Sequence, residues 1–116
     1  VILRHIGAPN DLRGFHFDLL LEDKKFCRTW RLSDIPLLDG PYVDSVQIAP
    51  HNLDWLDTKE KVISGNRGVA TRIKNGIFFQ SLPSIEKCFF SLSLSWEDLD
   101  SYLVIDKHGC RVFSKK

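Results

Sequence analysis

The sequence predicts a mainly β protein, one domain over residues 1–116 folded as a compact antiparallel β-barrel with short helical turns. Three observations carry this. Gly14 to Glu22 alternates, with Phe15, Phe17, Leu19 and Leu21 on one face and His16, Asp18 and Glu22, with Leu20 among them, on the other. A side-chain period of two is that of a strand. Short alternating runs recur down the chain, with turn signals every several residues. Asn75-Gly76, flanked by apolar runs, is the strongest short hairpin signal present.

The elements follow in order. Val1 to His5 reads as a short strand, and Gly7 to Gly14, with Pro9, Asn10 and Asp11, as a loop. The long alternating strand comes next. A polar turn at Glu22–Lys25 then leads to its hairpin partner, Phe26–Leu32, in which Phe26, Arg28 and Trp30 oppose Cys27, Thr29 and Arg31. Ser33–Tyr42 holds Pro36, Gly40 and Pro41 and is irregular. Val43–Ala49 is a modest strand, and Pro50–Asp57 a turn that buries Leu53 and Leu56. Lys61–Ile63 is strand, and Ser64-Gly65-Asn66-Arg67-Gly68 a tight turn bounded by glycine. Val69–Lys74 and Ile77–Leu82 form the Asn75-Gly76 hairpin. Ile85–Leu94 alternates again, with Cys88, Phe90, Leu92 and Leu94 against Phe89, Ser91, Ser93 and Ser95. Trp96-Glu97-Asp98-Leu99, after Ser95, suits one capped helical turn. Tyr102–Ile105 and Arg111–Phe113 bracket a last hairpin at Asp106–Gly109.

Composition narrows the function. Hydrophobic residues make up 43% and charged residues 27%, ordinary for a globular domain. The net charge of +1 gives no global field toward nucleic acid, so a phosphate partner must be held by a local patch. Cys27, Cys88 and Cys110 are odd in number and form no CxxC, which reads as free, mostly buried thiols in a reducing, cytoplasmic setting. No apolar run reaches membrane-span length and no signal-peptide pattern opens the chain. The absence of methionine suggests a trimmed start, with a few residues missing.

The chemistry centres on the alternating strand. A strand that only covers a core would carry Lys, Thr or Ser outside; this one carries an imidazole and a carboxylate two residues apart. With His5 ending the first strand, His5, His16 and Asp18 make an open ligand set suited to Mn, Fe or Zn. The alternative is a hydrogen-bonded His–Asp pair at the surface. His51, before an apolar turn, suits a donor to a phosphate oxygen or a general acid, or else a turn cap. His108 is a solvated turn residue. Arg67, between two glycines, suits a phosphate grip. Arg4, Arg28, Arg31 and Arg72 are further phosphate candidates, although most read as solvated strand residues. Trp30, Trp55 and Trp96 read as core pieces rather than base-stacking platforms. No nucleophile elbow, Walker loop, HExxH or dinucleotide fingerprint is present.

His16-Phe17-Asp18-Leu19-Leu20-Leu21-Glu22, Thr29-Trp30-Arg31-Leu32, His51-Asn52-Leu53-Asp54-Trp55-Leu56-Asp57 and Ser64-Gly65-Asn66-Arg67-Gly68 occur in that order. Together they resemble the 3′-phosphoesterase domain of bacterial DNA ligase D, and most closely its stand-alone branch, over roughly residues 1 to 80. The resemblance implies a compact barrel and a manganese-dependent site, with zinc or another transition metal as alternatives. Its activity would remove a terminal ribonucleoside and then the 3′-phosphate from nucleic-acid 3′ ends, leaving a 3′-hydroxyl for a separate DNA ligase. It assigns His5, His16 and Asp18 to the metal and His51 to the phosphate. Leu20 stands where the ligase domain has a phosphate-gripping arginine, and Trp55 where it has a catalytic tyrosine; the stand-alone branch commonly shares the leucine. Arg67 is therefore expected to take over the grip. The alternative is a non-catalytic module that binds a nucleic-acid end or a repair partner.

Overall fold

The computed structural model describes residues 1–9, 11–63, 65, 67–97 and 99–115. The strands are β1 Ile2–Ile6, β2 Phe15–Asp23, β3 Phe26–Leu32, β4 Ser45–His51, β5 Glu60–Val62, β6 Val69–Lys74, β7 Gly76–Phe78, β8 Phe90–Trp96, β9 Leu99–Asp106 and β10 Gly109–Ser114. A 3-10 turn, Leu53–Leu56, follows β4. The strands form two antiparallel sheets, one of six in the order β4-β3-β2-β1-β6-β5 and one of four in the order β10-β9-β8-β7.

The alternation of β2 explains how the sheets pack. Phe17, Leu19 and Leu21 point inward with Trp30 and Leu32 of β3, and they meet Leu92, Leu94 and Trp96 of β8 and Leu103 and Ile105 of β9 in one apolar core. Burial of these side chains is the main stabilising term, each worth roughly 1.5–3 kcal/mol. The opposite face of β2 is also covered. Leu20 joins Leu3 and Cys27 in a second cluster, over which Leu53, Trp55 and Leu56 of the 3-10 turn are packed. Leu53 and Leu56 are thus half-buried rather than fully buried.

The sheets meet at two corners. Val43, just before β4, pairs with Cys110 of β10 through two backbone hydrogen bonds of 2.9 Å. At the other corner the chain passes from β6 to β7 through Asn75. The expected Asn75-Gly76 hairpin does not form. β6 already has β1 on one side and β5 on the other, so it has no free edge, and β7 pairs instead with β8. Gly76 serves a close approach: a Cβ there would collide with the Ser95 carbonyl and the Trp96 ring.

Other expectations shift. The strand expected over 77–82 ends at Phe78, and that expected from Ile85 begins at Phe90. Trp96 and Leu99 are paired strand residues flanking a hairpin turn, not a helical turn; Glu97 takes φ +48° there, and Asp98 lies outside the described residues. Cys27 and Cys110 are buried free thiols, whereas Cys88 is exposed. Burial pushes the Cys27 thiol up to about 11 and Cys110 up to about 12, so both stay protonated and inert at neutral pH. Among the described residues no helix is long and apolar enough to cross a membrane.

Candidate functional site

Strand register brings the chemistry together on the outer face of the six-stranded sheet. His5 of β1 lies directly across from His16, and Arg31 of β3 directly across from Asp18. The two imidazoles meet edge to face, with centroids 4.8 Å apart. His16 is 8% exposed and Asp18 5%, so these polar groups lie beneath the surface.

Each buried polar atom needs a partner, and the partners define the site. Nδ1 of His16 donates to Oδ2 of Asp11 at 2.9 Å, from the loop between β1 and β2. In the neutral ring this leaves the lone pair on Nε2. That Nε2 is buried and has no hydrogen-bond partner. Oδ2 of Asp18 lies 3.4 Å from it, and Nε of Arg31 donates to Oδ1 of Asp18 at 3.2 Å. Two lone-pair atoms facing each other in a buried place need a positive charge between them, a proton or a metal cation. The titration behaviour follows. The Asp18 carboxylate raises His16 above its ordinary value of 6.5; burial opposes this and the Asp11 hydrogen bond adds to it. Burial alone would push Asp18 up, but His16 and Arg31 more than offset it and hold the carboxyl below its ordinary 3.8. Asp11 is lowered, chiefly by its hydrogen bond from His16.

His5 is held differently. Its Nε2 lies 2.6 Å from the Arg67 carbonyl, which can only accept, so Nε2 carries the proton and Nδ1 the lone pair of the neutral ring. The glycine after Arg67 serves this packing. Gly68 has φ +94°, and a Cβ on it would run into the Ile6 carbonyl at the end of β1. The turn thus closes onto β1, and Ser64 and Asn66 within it lie outside the described residues.

His51 is the last residue of β4, paired across from Cys27, rather than a loop or cap residue. The cap of the 3-10 turn is Asn52, whose side chain accepts from the Asp54 N–H at 3.0 Å. Nδ1 of His51 lies 3.0 Å from Oγ1 of Thr29. Trp55 stands 6.0 Å from the His51 ring, edge to face, with Nζ of Lys61 5.0 Å from the centre of its ring. Trp30 and Trp96 are core residues as expected, whereas Trp55 lines the site.

One cavity of about 570 Å³ has His5, Asp18, Arg31, His51 and Arg67 on its polar wall and Trp55 and Ile63 on its apolar one; His16 lies behind Asp18 and is not part of the lining. A second cavity, about 600 Å³ and running from Leu21 to Trp96, includes none of the histidines. Of the arginines proposed for phosphate, Arg31 and Arg67 are at the site. Arg28 is buried in an ion pair with Asp23 (2.7 Å) and donates to the Pro83 carbonyl, while Arg72 donates to the Leu56 carbonyl.

The fit to a metal ion divides the expected ligands. His16 and Asp18 fit, because an orphaned imidazole nitrogen beside a carboxylate is a donor pair wanting a cation. His5 is adjacent but spends Nε2 on a carbonyl. Among the described residues, no three His, Cys, Asp or Glu side chains are grouped to hold a metal. Asp11 and Thr29 were not singled out in the sequence. Their types gave no signal, since a loop aspartate and a strand threonine are commonplace.

No protein-family model matches the chain, and no curated protein does.

Proposed function

We propose that this cavity is a divalent-metal phosphoesterase site acting on nucleic-acid 3′ ends, of the kind the sequence resembles in the 3′-phosphoesterase domain of bacterial DNA ligase D. The observation that carries the reading is the buried, unpartnered Nε2 of His16, 3.4 Å from an oxygen of Asp18, which itself lines a cavity whose polar wall also holds His5, His51, Arg31 and Arg67. Such a wall suits a phosphate anion. The barrel belongs to this reading too: the Val43–Cys110 bridge and the Asn75 corner are the seams at which two sheets would close, and the free thiols suit a reducing, cytoplasmic setting.

His16 and Asp18 would hold the ion, manganese or another transition metal, with His5 as the third donor. When bound, it supplies Lewis acidity toward a phosphoryl oxygen. The chain's own residues do the rest. Arg67 and Arg31 bind and orient the phosphate, and the walls at Trp55 and Ile63 exclude water. His51 manages a proton beside the reacting group. Leu20, 1% exposed beneath the 3-10 turn, takes no part in phosphate contact, which leaves the grip to the two arginines. A 3′-hydroxyl product would pass to a separate DNA ligase.

One observation favours a second reading, a module that binds 3′-phosphate ends without cleaving them: Nε2 of His5 is committed to the Arg67 carbonyl, which leaves only Nδ1 of that ring as a third donor. A single assay separates the two. A 3′-phosphorylated primer–template is incubated with Mn²⁺ and the protein, beside His16→Ala and Arg67→Ala. Hydrolysis predicts phosphate release by the wild type, loss in His16→Ala, and weaker substrate binding with metal retained in Arg67→Ala. Binding without release by the wild type establishes the second reading, and neither binding nor release ends both.

A further inference from the structure

We propose that Thr29 is a positioning residue that fixes His51 as its Nδ1–H tautomer and so makes Nε2 a hydrogen-bond acceptor toward the cavity. Thr29 Oγ1 carries one hydrogen. It lies 3.1 Å from the Cys27 carbonyl, which can only accept, so the hydrogen goes there. The same oxygen lies 3.0 Å from Nδ1 of His51. With its hydrogen spent, the hydroxyl accepts, and Nδ1 must donate. Thr29 is 0% exposed, so water does not compete for either bond.

The fold builds this contact deliberately. β4 is an edge strand, and its pairing with β3 slips between Cys27 and Thr29, so that Thr29 faces Ile48 and Cys27 faces His51. The extra residue falls at Ala49–Pro50, where a proline is tolerated because an edge bulge needs no N–H. The bulge brings the His51 ring back over Thr29.

The consequence concerns what the cavity can take. A neutral His51 has no hydrogen on Nε2. It accepts from a group that bears one, a water or a sugar hydroxyl, and it donates to a phosphate oxygen only as the imidazolium. The tautomer is independent of the hydrolase reading; only its effect on rate rests on that reading.

The test is ¹⁵N NMR of histidine-labelled, chelator-treated protein at alkaline pH, where ring nitrogens with and without hydrogen are distinguished. The expected result is a hydrogen on Nδ1 and none on Nε2 of His51. Thr29→Val, which keeps the shape and removes the oxygen, releases the ring to the Nε2–H form, and Thr29→Ser retains Nδ1–H. A wild-type ring bearing its hydrogen on Nε2, or a Val variant with an unchanged tautomer, overturns the proposal; the wild-type spectrum decides even if the Val variant does not fold. In the phosphate-release assay, Thr29→Val lowers kcat about tenfold or more at unchanged Mn²⁺ affinity, and Thr29→Ser restores most of it. Wild type with the Nδ1–H tautomer but without activity defeats the hydrolase reading and leaves Thr29 its role. An active wild type with the reverse tautomer does the opposite.

Discussion

The two sheets share a core but differ on their outer faces. On the four-stranded sheet, the outward side of β8 is Ser91, Ser93 and Ser95, opposite Val104, Tyr102 and Asp100 of β9. These small hydroxyls lie at or near the surface, where Ser93 Oγ accepts from Lys115 Nζ. On the six-stranded sheet, the outward side of β2 is His16, Asp18 and Leu20, and all three are buried. One outer face ends at solvent; the other begins a second layer, apolar under the 3-10 turn and polar at the cavity. A polar residue on an alternating strand is uninformative until one knows which kind of face it occupies. Burial of a charged pair, costly unless compensated, marks the face where function is to be sought.

The largest expected effect tests that second layer. Leu20→Arg drives a guanidinium into the Leu3–Cys27 cluster. The cost is expected to exceed about 3 kcal/mol, from desolvation and overpacking together. Ser91→Arg on the exposed face is expected to stay within about 0.5 kcal/mol. Urea denaturation of the two variants beside the wild type decides it. Similar losses for both would erase the distinction between the faces.

A smaller effect sharpens the polar part of the same face. Asp11 orients His16 from outside the proposed ligand pair of His16 and Asp18, and such outer partners are worth roughly tenfold or more in metal affinity. Asp11→Asn should therefore weaken Mn²⁺ binding about tenfold, read by calorimetric titration, with the fold intact. Asp100→Asn on the four-stranded sheet should leave binding unchanged. Equal affinity in Asp11→Asn would mean that His16 needs no such orientation.

What was legible in the sequence depended on how local its cause is. The β2–β3 hairpin follows from alternation alone, and Phe26–Leu32 is strand as read. Asn75-Gly76 misled because a turn signal reports local conformation and not which edges remain unpaired; β6 had none. The run Pro50–Asp57 predicts a turn that includes His51, and only the edge position and bulge of β4 let a strand carry Pro50 and reach His51. His5, His16 and Asp18 could be grouped because they sit on adjacent strands. Asp11 and Thr29 could not be found, since their roles depend on a loop folding back and on a one-residue slip in register.

The smallest effect concerns pH and again separates the faces. With divalent ions chelated, the His16 cluster supplies a proton-dependent part of stability. His16 is raised above 6.5, first by Asp18, so its contribution is full below pH 6.5 and is lost as pH rises through the raised value. Asp18, lowered by His16 and Arg31 against burial, and Asp11, lowered chiefly by His16, contribute above pH 3.8 and lose this as pH falls through their depressed values. The cluster thus stabilises most between about pH 4 and 6.5. The shifted pair on the other side, Asp106 lowered and Tyr42 raised by their mutual 2.7 Å hydrogen bond, titrates below 3.8 and above 10. Between pH 6.5 and 9 it is silent, whereas the Val1 ammonium, lowered by burial to about 6, makes stability rise with pH toward 8, so the part due to His16 is the difference between the wild type and a His16 variant. Over that interval chelated wild type should lose Tm relative to His16→Gln, which keeps much of the bulk and cannot hold the proton. If the two Tm profiles run parallel, the charge between Nε2 and Asp18 has no energetic weight, and the argument that this pair wants a cation fails with it.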